Sequence, residues 1–228
     1  VLPEPLLPAD PLPTADGVVP ADRADSALAA LGVGAADLHA AVAAGEAGYR
    51  SATGNHPEGT AGMRAYQERV RMLRERLLPL GWERRSVRHL EFVADPRTSV
   101  AIGTMLGDSG TGLADRVPRN VHPRGRAGRA VIEVGAPHPD QLSLLDDLPE
   151  PVAADDPREV WYLLVHRVVE HDGAVVHRCE LSLPGVVRGE YIASWRRRVL
   201  LAPVRSDAVD ADPRPGGDTP VEIDVTER

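Results

Sequence analysis

Between Thr60 and Leu78 the apolar residues Tyr66, Val70, Leu73 and Leu77 recur at spacings of four and three, while Arg64, Glu68, Arg71 and Glu75 fall on the other faces. That period predicts an amphipathic helix, which Pro79 and Gly81 end. Ahead of it, an Ala-rich piece from Asp25 to Leu31 and a longer stretch from Ala35 to about Tyr49 also read as helical. They are separated by Gly32 and Gly34, and Leu38, Val42 and Tyr49 lie near one face of the second. Ser51 to Gly59, containing Asn55-His56-Pro57, reads as a loop.

After Trp82 the period shortens towards two. Val87, Leu90, Phe92 and Val93 predict one strand, Asp95-Pro96-Arg97 a turn, and Ser99 to Leu106 a second strand of an antiparallel hairpin. Glu159 to Glu170 and Ala174 to Leu183 flank Asp172-Gly173, a strong hairpin signal. A short strand is expected at Ala130 to Val134, a short helix at 189–196 and a last strand from Arg198 to Val204. The fold class expected is α+β, with N-terminal helices packed on a mainly antiparallel sheet.

Proline sets the boundaries. Residues 1–22 carry Pro3, Pro5, Pro8, Pro11, Pro13 and Pro20 and read as a disordered or loosely draped arm. Residues 23–134 hold the helices and the first hairpin, 135–157 form a proline-flanked linker, and 158–205 add the second hairpin and the last strand to the same domain. From 206 to 228 an acidic, Pro/Gly-rich tail follows, with Asp207, Asp210, Asp212 and Asp218.

The 228 residues suffice for a buried core, and with only 4% aromatics that core must be built from Leu, Val and Ala. All 26 basic residues are Arg, and the net charge of −8 argues against a protein that coats nucleic acid along its whole surface. A local patch remains at Arg116, Arg119, Arg124, Arg126 and Arg129, a set suited to phosphate contacts that carry no sequence information. The single cysteine, Cys179, excludes an intramolecular disulfide, and no cysteine cluster has zinc-site spacing. The apolar runs are too interrupted to span a bilayer and the start lacks a basic signal-peptide region, so a cytoplasmic protein without cofactor or metal is expected.

Two chemical readings compete with plain structural ones. A two-residue turn at Asp172-Gly173 would set His166 opposite Cys179 and Val168 opposite His177, placing a Cys-His pair on one sheet face. That face is otherwise apolar, which favours packed core residues over a nucleophile or a zinc site. The run Gly107-Asp108-Ser109-Gly110-Thr111-Gly112 has the glycines of a phosphate cradle but lacks the Gly-Lys-Ser/Thr ending of a P-loop. No convergent set of acid, base and metal ligands can be assembled for an enzyme.

Within the linker, Gln141-Leu142-Ser143-Leu144-Leu145 lies between Pro137 and Pro139 on one side and Pro149 and Pro151 on the other, which favours an extended, presented peptide. It resembles the pentapeptide by which bacterial replication and repair proteins dock on the DNA polymerase sliding clamp. The resemblance implies that the Gln141 amide anchors at the pocket rim and that Leu144 and Leu145 fill the pocket, with Leu142 and Ser143 shaping the backbone. Leu145 stands where Phe is commoner, so less area is buried and weaker binding is expected.

Residues of about 35 to 183 are also similar to uncharacterised proteins of phages, plasmids and integrative elements. Asn55-His56-Pro57, Leu78-Pro79-Leu80-Gly81-Trp82, the Gly107 to Gly112 run and Glu180-Leu181-Ser182-Leu183-Pro184 carry that likeness. The expected function is therefore clamp binding at or against the replication machinery, as a mobile-element accessory or inhibitor. A DNA-binding or nuclease-like protein is the alternative, with DNA as the further partner and no membrane partner.

Overall fold

A computed structural model describes residues 17–87, 90–98, 100–125, 128, 132 and 159–206. Three helices lead: α1 (Ala24–Ala29), α2 (Ala35–Arg50) and α3 (Thr60–Leu77). Asp37 accepts the Gly34 N–H at the start of α2, and α3 runs into a 3-10 turn at Leu78–Leu80 that Gly81 ends at φ 91°. The helices and their stop signals stand where the periodicity predicts them.

α2 and α3 lie antiparallel and close together, because α2 offers glycine where α3 crosses it. A Cβ on Gly48 would sit 2.8 Å from the Arg64 carbonyl oxygen, an atom fixed by its own helix. Gly48→Ala should therefore destabilise the protein by about 1–3 kcal/mol through overpacking, despite alanine's better helix propensity. Gly62→Ala, at a position with open space around it, should stabilise by about 0.5–1 kcal/mol. Urea denaturation of both variants checks this, and equal effects would count against the close-approach account.

The strands are β1 (Val18–Val19), β2 (Glu83–Val87), β3 (Leu90–Asp95), β4 (Val100–Leu106), β5 (Glu159–Val169), β6 (Val175–Pro184), β7 (Val187–Arg188), β8 (Tyr191–Ile192), β9 (Trp195–Leu200) and β10 (Val204–Ser206). The main sheet has the order β1-β9-β6-β5-β4-β3-β2, with β10 also paired to β6, while β7 and β8 form a separate small ribbon. β4–β5 and β1–β9 are parallel and the other pairs antiparallel, so the α+β class with N-terminal helices holds.

Both sheet faces are covered. Ile102, Trp161, Leu163, Val165, Cys179 and Leu181 meet Leu38, Val42, Leu73 and Leu77 of the helices. On the far side Phe92, Ala101, Met105, Tyr162 and Leu164 meet Ile192 and Trp195. Burial on two sides explains why β5 reads as a nearly continuous apolar run from Val160 to Val165.

Several expectations change. The strand expected from Val87 to Val93 is two strands folded back on each other, with Val87 opposite Leu90. Residues 189–196 are not helical; they contain β8 and the start of β9, because Tyr191 and Ile192 turn back on Val187 and Arg188 around Gly189 at φ 60°. The last strand starts earlier than Arg198, and Val204 opens a separate strand. Residues 17–22 of the arm expected over 1–22 are part of the fold, since Val18 and Val19 pair with Arg198 and Val199 and a 3-10 turn follows at Ala21–Arg23; residues 1–16 lie outside the described residues. Ile132, the described residue of the strand expected at 130–134, is helical and buried.

The β5–β6 turn also differs. The Glu170 N–H donates to the Ala174 carbonyl and the Gly173 N–H to Glu170, with Gly173 at φ 79°, so the loop has three residues rather than two. The register accordingly slips by one: Val165 faces Cys179, His166 faces Arg178 and Arg167 faces His177. A slip of one residue inverts faces, so His166 lies on the opposite side of the sheet from Cys179 and His177.

Candidate functional site

The Gly107 to Gly112 loop folds against the far face of the sheet, and five of its six backbone N–H groups are engaged within the protein. The Gly107 N–H donates to Val165, Asp108 to Arg119, Thr111 to Asp108, Gly110 to the Asp108 carboxylate and Gly112 to the Glu180 carboxylate at 2.8 Å. Thr111 is buried, and a Cβ on Gly107 would fall 2.1 Å from its hydroxyl, so close packing is what Gly107 provides. A phosphate cradle needs those N–H groups free and convergent. The loop instead closes on the sheet.

Arg198 and Glu180 hold it there. Both are almost fully buried, Arg198 at 2% exposure, and they meet through two hydrogen bonds of 2.9 and 2.5 Å. Arg198 also donates to the carbonyls of Arg116 and Leu113, at 2.7 and 2.9 Å, and the Ser182 hydroxyl donates to Glu180. The pair is neutral as a unit and nearly all its polar capacity is used, the condition under which a buried ion pair is tolerated.

A second buried carboxylate joins helix and sheet. Glu46 of α2, 4% exposed, accepts hydrogen bonds from Arg50 and Arg167 and lies 3.1 Å from His177 Nε2. Burial alone would raise its pKa, but the hydrogen bonds from His177, Arg167 and Arg50 outweigh that and hold the carboxyl well below the usual range. Arg167 in turn lies over the Tyr49 ring, 4.5 Å from its centroid. Glu46 and His177 are buried while Arg50 and Arg167 stay partly exposed, and the cluster reads as a structural clamp.

Cys179 is fully buried, and burial pushes its thiol up to about 12, far from a reactive thiolate. His166 is within 3.1 Å of the Gly107 carbonyl. The Cys-His pair is therefore not assembled, in agreement with the packed-core reading.

One cavity opens beside α3, with a volume of about 340 Å3. β3 is bridged to β4 only at Val93 to Asp95, and beyond Ile102 the two strands part. Thr104, Met105 and Leu106 then form a wall, with Gly62, Met63, Tyr66 and Arg69 of α3 on one side and Asn120, His122, Pro123 and Arg124 on the other. Asn120 fixes the latter segment: its amide donates to the His122 and Glu190 carbonyls and accepts from the Ile192 N–H. Met63 and His122 are exposed, and the cavity is open to solvent beside them.

Arg69 is 5% exposed; its Nε donates to the Thr104 hydroxyl at 3.2 Å, and that hydroxyl donates to the Leu163 carbonyl. Among the described residues no carboxylate pairs with it, and burial pushes its guanidinium down to about 10. Arg124 lies over the Tyr162 ring at 5.2 Å, and the Tyr162 hydroxyl is buried without a hydrogen-bond partner among the described residues. Arg69 escaped the sequence reading because charged residues were assigned to the wet faces of α3. Its spacing of three from Tyr66 and four from Leu73 puts it on the buried stripe, which was the available signal.

Of the residues singled out in the sequence, Arg116 and Arg119 are exposed on the covering loop and Arg124 turns into the cavity wall, so these three do not form one flat patch. Arg126, Arg129 and the peptide Gln141, Leu142, Ser143, Leu144 and Leu145 lie outside the described residues. Among the described residues no group of three or more His, Cys, Asp or Glu side chains is arranged to hold a metal ion. Nor is any helix there long and apolar enough to cross a membrane. No protein-family model, curated protein or solved structure matches this chain.

Proposed function

We propose that this is a binding protein that docks on the bacterial DNA polymerase sliding clamp through Gln141 to Leu145, acting at or against the replication machinery. The observation that carries the reading is the sequence Gln-Leu-Ser-Leu-Leu between two pairs of prolines. The peptide belongs to the connection that leaves β4 at Leu106 and returns at Glu159, and the described strands and helices draw on residues outside it. The rival nuclease-like reading has less to stand on, since the Gly107 to Gly112 donors are engaged and Cys179 is buried away from His166.

Purified clamp should be retained by the wild-type protein at micromolar concentration and lost when Gln141→Ala and Leu144→Ala are combined. Leu145→Phe should tighten retention, since more pocket area is buried. Retention unchanged by the double substitution would end the proposal. A DNA-binding reading is favoured by the exposure of Arg116 and Arg119. It requires retardation of DNA that weakens with salt and with Arg116→Ala plus Arg119→Ala.

A further inference from the structure

We propose that the cavity beside α3 binds a small organic anion whose oxyanion head, a phosphate monoester or a carboxylate, is met by Arg69 and Arg124 and whose apolar body rests on Met63 and Met105. Arg69 carries an unbalanced charge. Removing a guanidinium from water is costly and is ordinarily offset by a carboxylate, as Glu180 does for Arg198 in this same protein. Arg69 is buried to a similar degree, yet its carboxylate is missing among the described residues. Among the described residues only its Nε has a partner, the Thr104 hydroxyl, and neither terminal nitrogen has one.

Three further features point the same way. Arg124 lines the same space with no ion pair among the described residues, its backbone fixed by donation to the Glu190 carbonyl and its guanidinium stacked on Tyr162. Among the described residues no Asp or Glu lines the cavity, although the chain carries 34 acidic against 26 basic residues, so a local excess of positive charge stands out against an acidic chain. Met63, Met105 and Leu106 supply adaptable apolar wall beside the cations, a combination suited to an amphiphilic small molecule rather than to a bare ion. The volume of about 340 Å3 is at the small end for ligand sites and admits one head group with a compact body, which excludes a nucleic-acid strand. Planar guanidinium groups match phosphate and carboxylate oxygens in a bidentate manner.

Isothermal titration of the full chain with phenyl phosphate, benzoate, inorganic phosphate and neutral benzyl alcohol tests the site. The expected result is saturable binding of phenyl phosphate or benzoate below about 1 mM, weaker binding of inorganic phosphate, and none of benzyl alcohol. The stronger of the first two identifies the head group. Arg69→Met keeps the length of the side chain while removing the charge, and should weaken binding roughly tenfold or more. Its melting temperature in the absence of ligand should not fall, because an unpaired buried charge is removed; a purely structural Arg69 would give a lower one. Arg124→Ala, on a partly exposed side chain, should weaken binding comparably and guards against a folding failure of the first variant. Absence of heat with all three anions up to about 10 mM would overturn the proposal, as would binding that both variants leave intact.

Discussion

Glu180→Ala is expected to lower the unfolding free energy by about 3–5 kcal/mol, a large share of what a domain of ordinary stability has, because it leaves Arg198 charged and unpaired in the sheet. Arg198→Met should cost a similar amount. The informative variant is the double one, Glu180→Leu with Arg198→Met. Replacing both members of a buried ion pair by apolar residues is often neutral. Here it should not be, because Arg198 also serves the carbonyls of Leu113 and Arg116, and Glu180 serves the Gly112 N–H. Those backbone groups would be orphaned, and the double variant should remain about 2 kcal/mol or more below wild type. Urea denaturation gives the stabilities, and hydrogen exchange at Gly112 gives the local effect. A double variant as stable as wild type, with that amide still protected, would mean that the pair does not anchor the loop.

Glu46→Gln is expected to produce a pH-dependent loss. The folded-state pKa of Glu46 is depressed below its unfolded value, so its contribution is fully present above the usual carboxylate pKa of about 4.3 and is lost as pH falls below it. At pH 7 the variant should be less stable by about 2–4 kcal/mol. The lower part of the usual range for a buried pair is appropriate because Arg50 and Arg167 are each still 28% exposed. From about pH 4 downward the wild type should approach the variant by roughly 1.4 kcal/mol per pH unit, because the unfolded carboxyl takes up a proton while folded Glu46 stays ionised. Unfolding free energies measured at constant ionic strength from pH 7 to pH 3 decide it, and a gap that stays constant over that range would remove Glu46 as the source.

The helices were readable because their signals are local. Tyr66, Val70, Leu73 and Leu77 mark α3, and Pro79 with Gly81 marks its end, without reference to any other part of the chain. The sheet was readable only where neighbours in sequence pair. The β3–β4 hairpin and the extents of β5 and β6 followed from alternation and turn residues. The β4–β5 and β1–β9 parallel pairs join segments far apart, and no local pattern announces them.

The register of β5 against β6 turned on one residue. Asp172-Gly173 suits a two-residue turn, but Asp172 also accepts the Ala174 N–H, and the chain takes the longer loop. That choice separates His166 from Cys179. The cavity was hidden for a related reason. It needs Arg69 from a helix, Thr104 from a strand and Arg124 from a loop, brought together only when β3 parts from β4. By contrast, Gln141 to Leu145 is a contiguous signal, visible without any fold.

The parallel contact of Val18 and Val19 with Arg198 and Val199 bears on how the protein is made. During synthesis the segment that emerges early must remain unmatched until almost the whole domain has left the ribosome, because its partner is among the last strands translated. Closing so wide a separation in sequence is entropically slow, so folding should lag behind elongation. The α2–α3 hairpin, whose contacts are near neighbours in the chain, is then the natural unit to consolidate first and shelter apolar surface while the rest of the sheet is awaited.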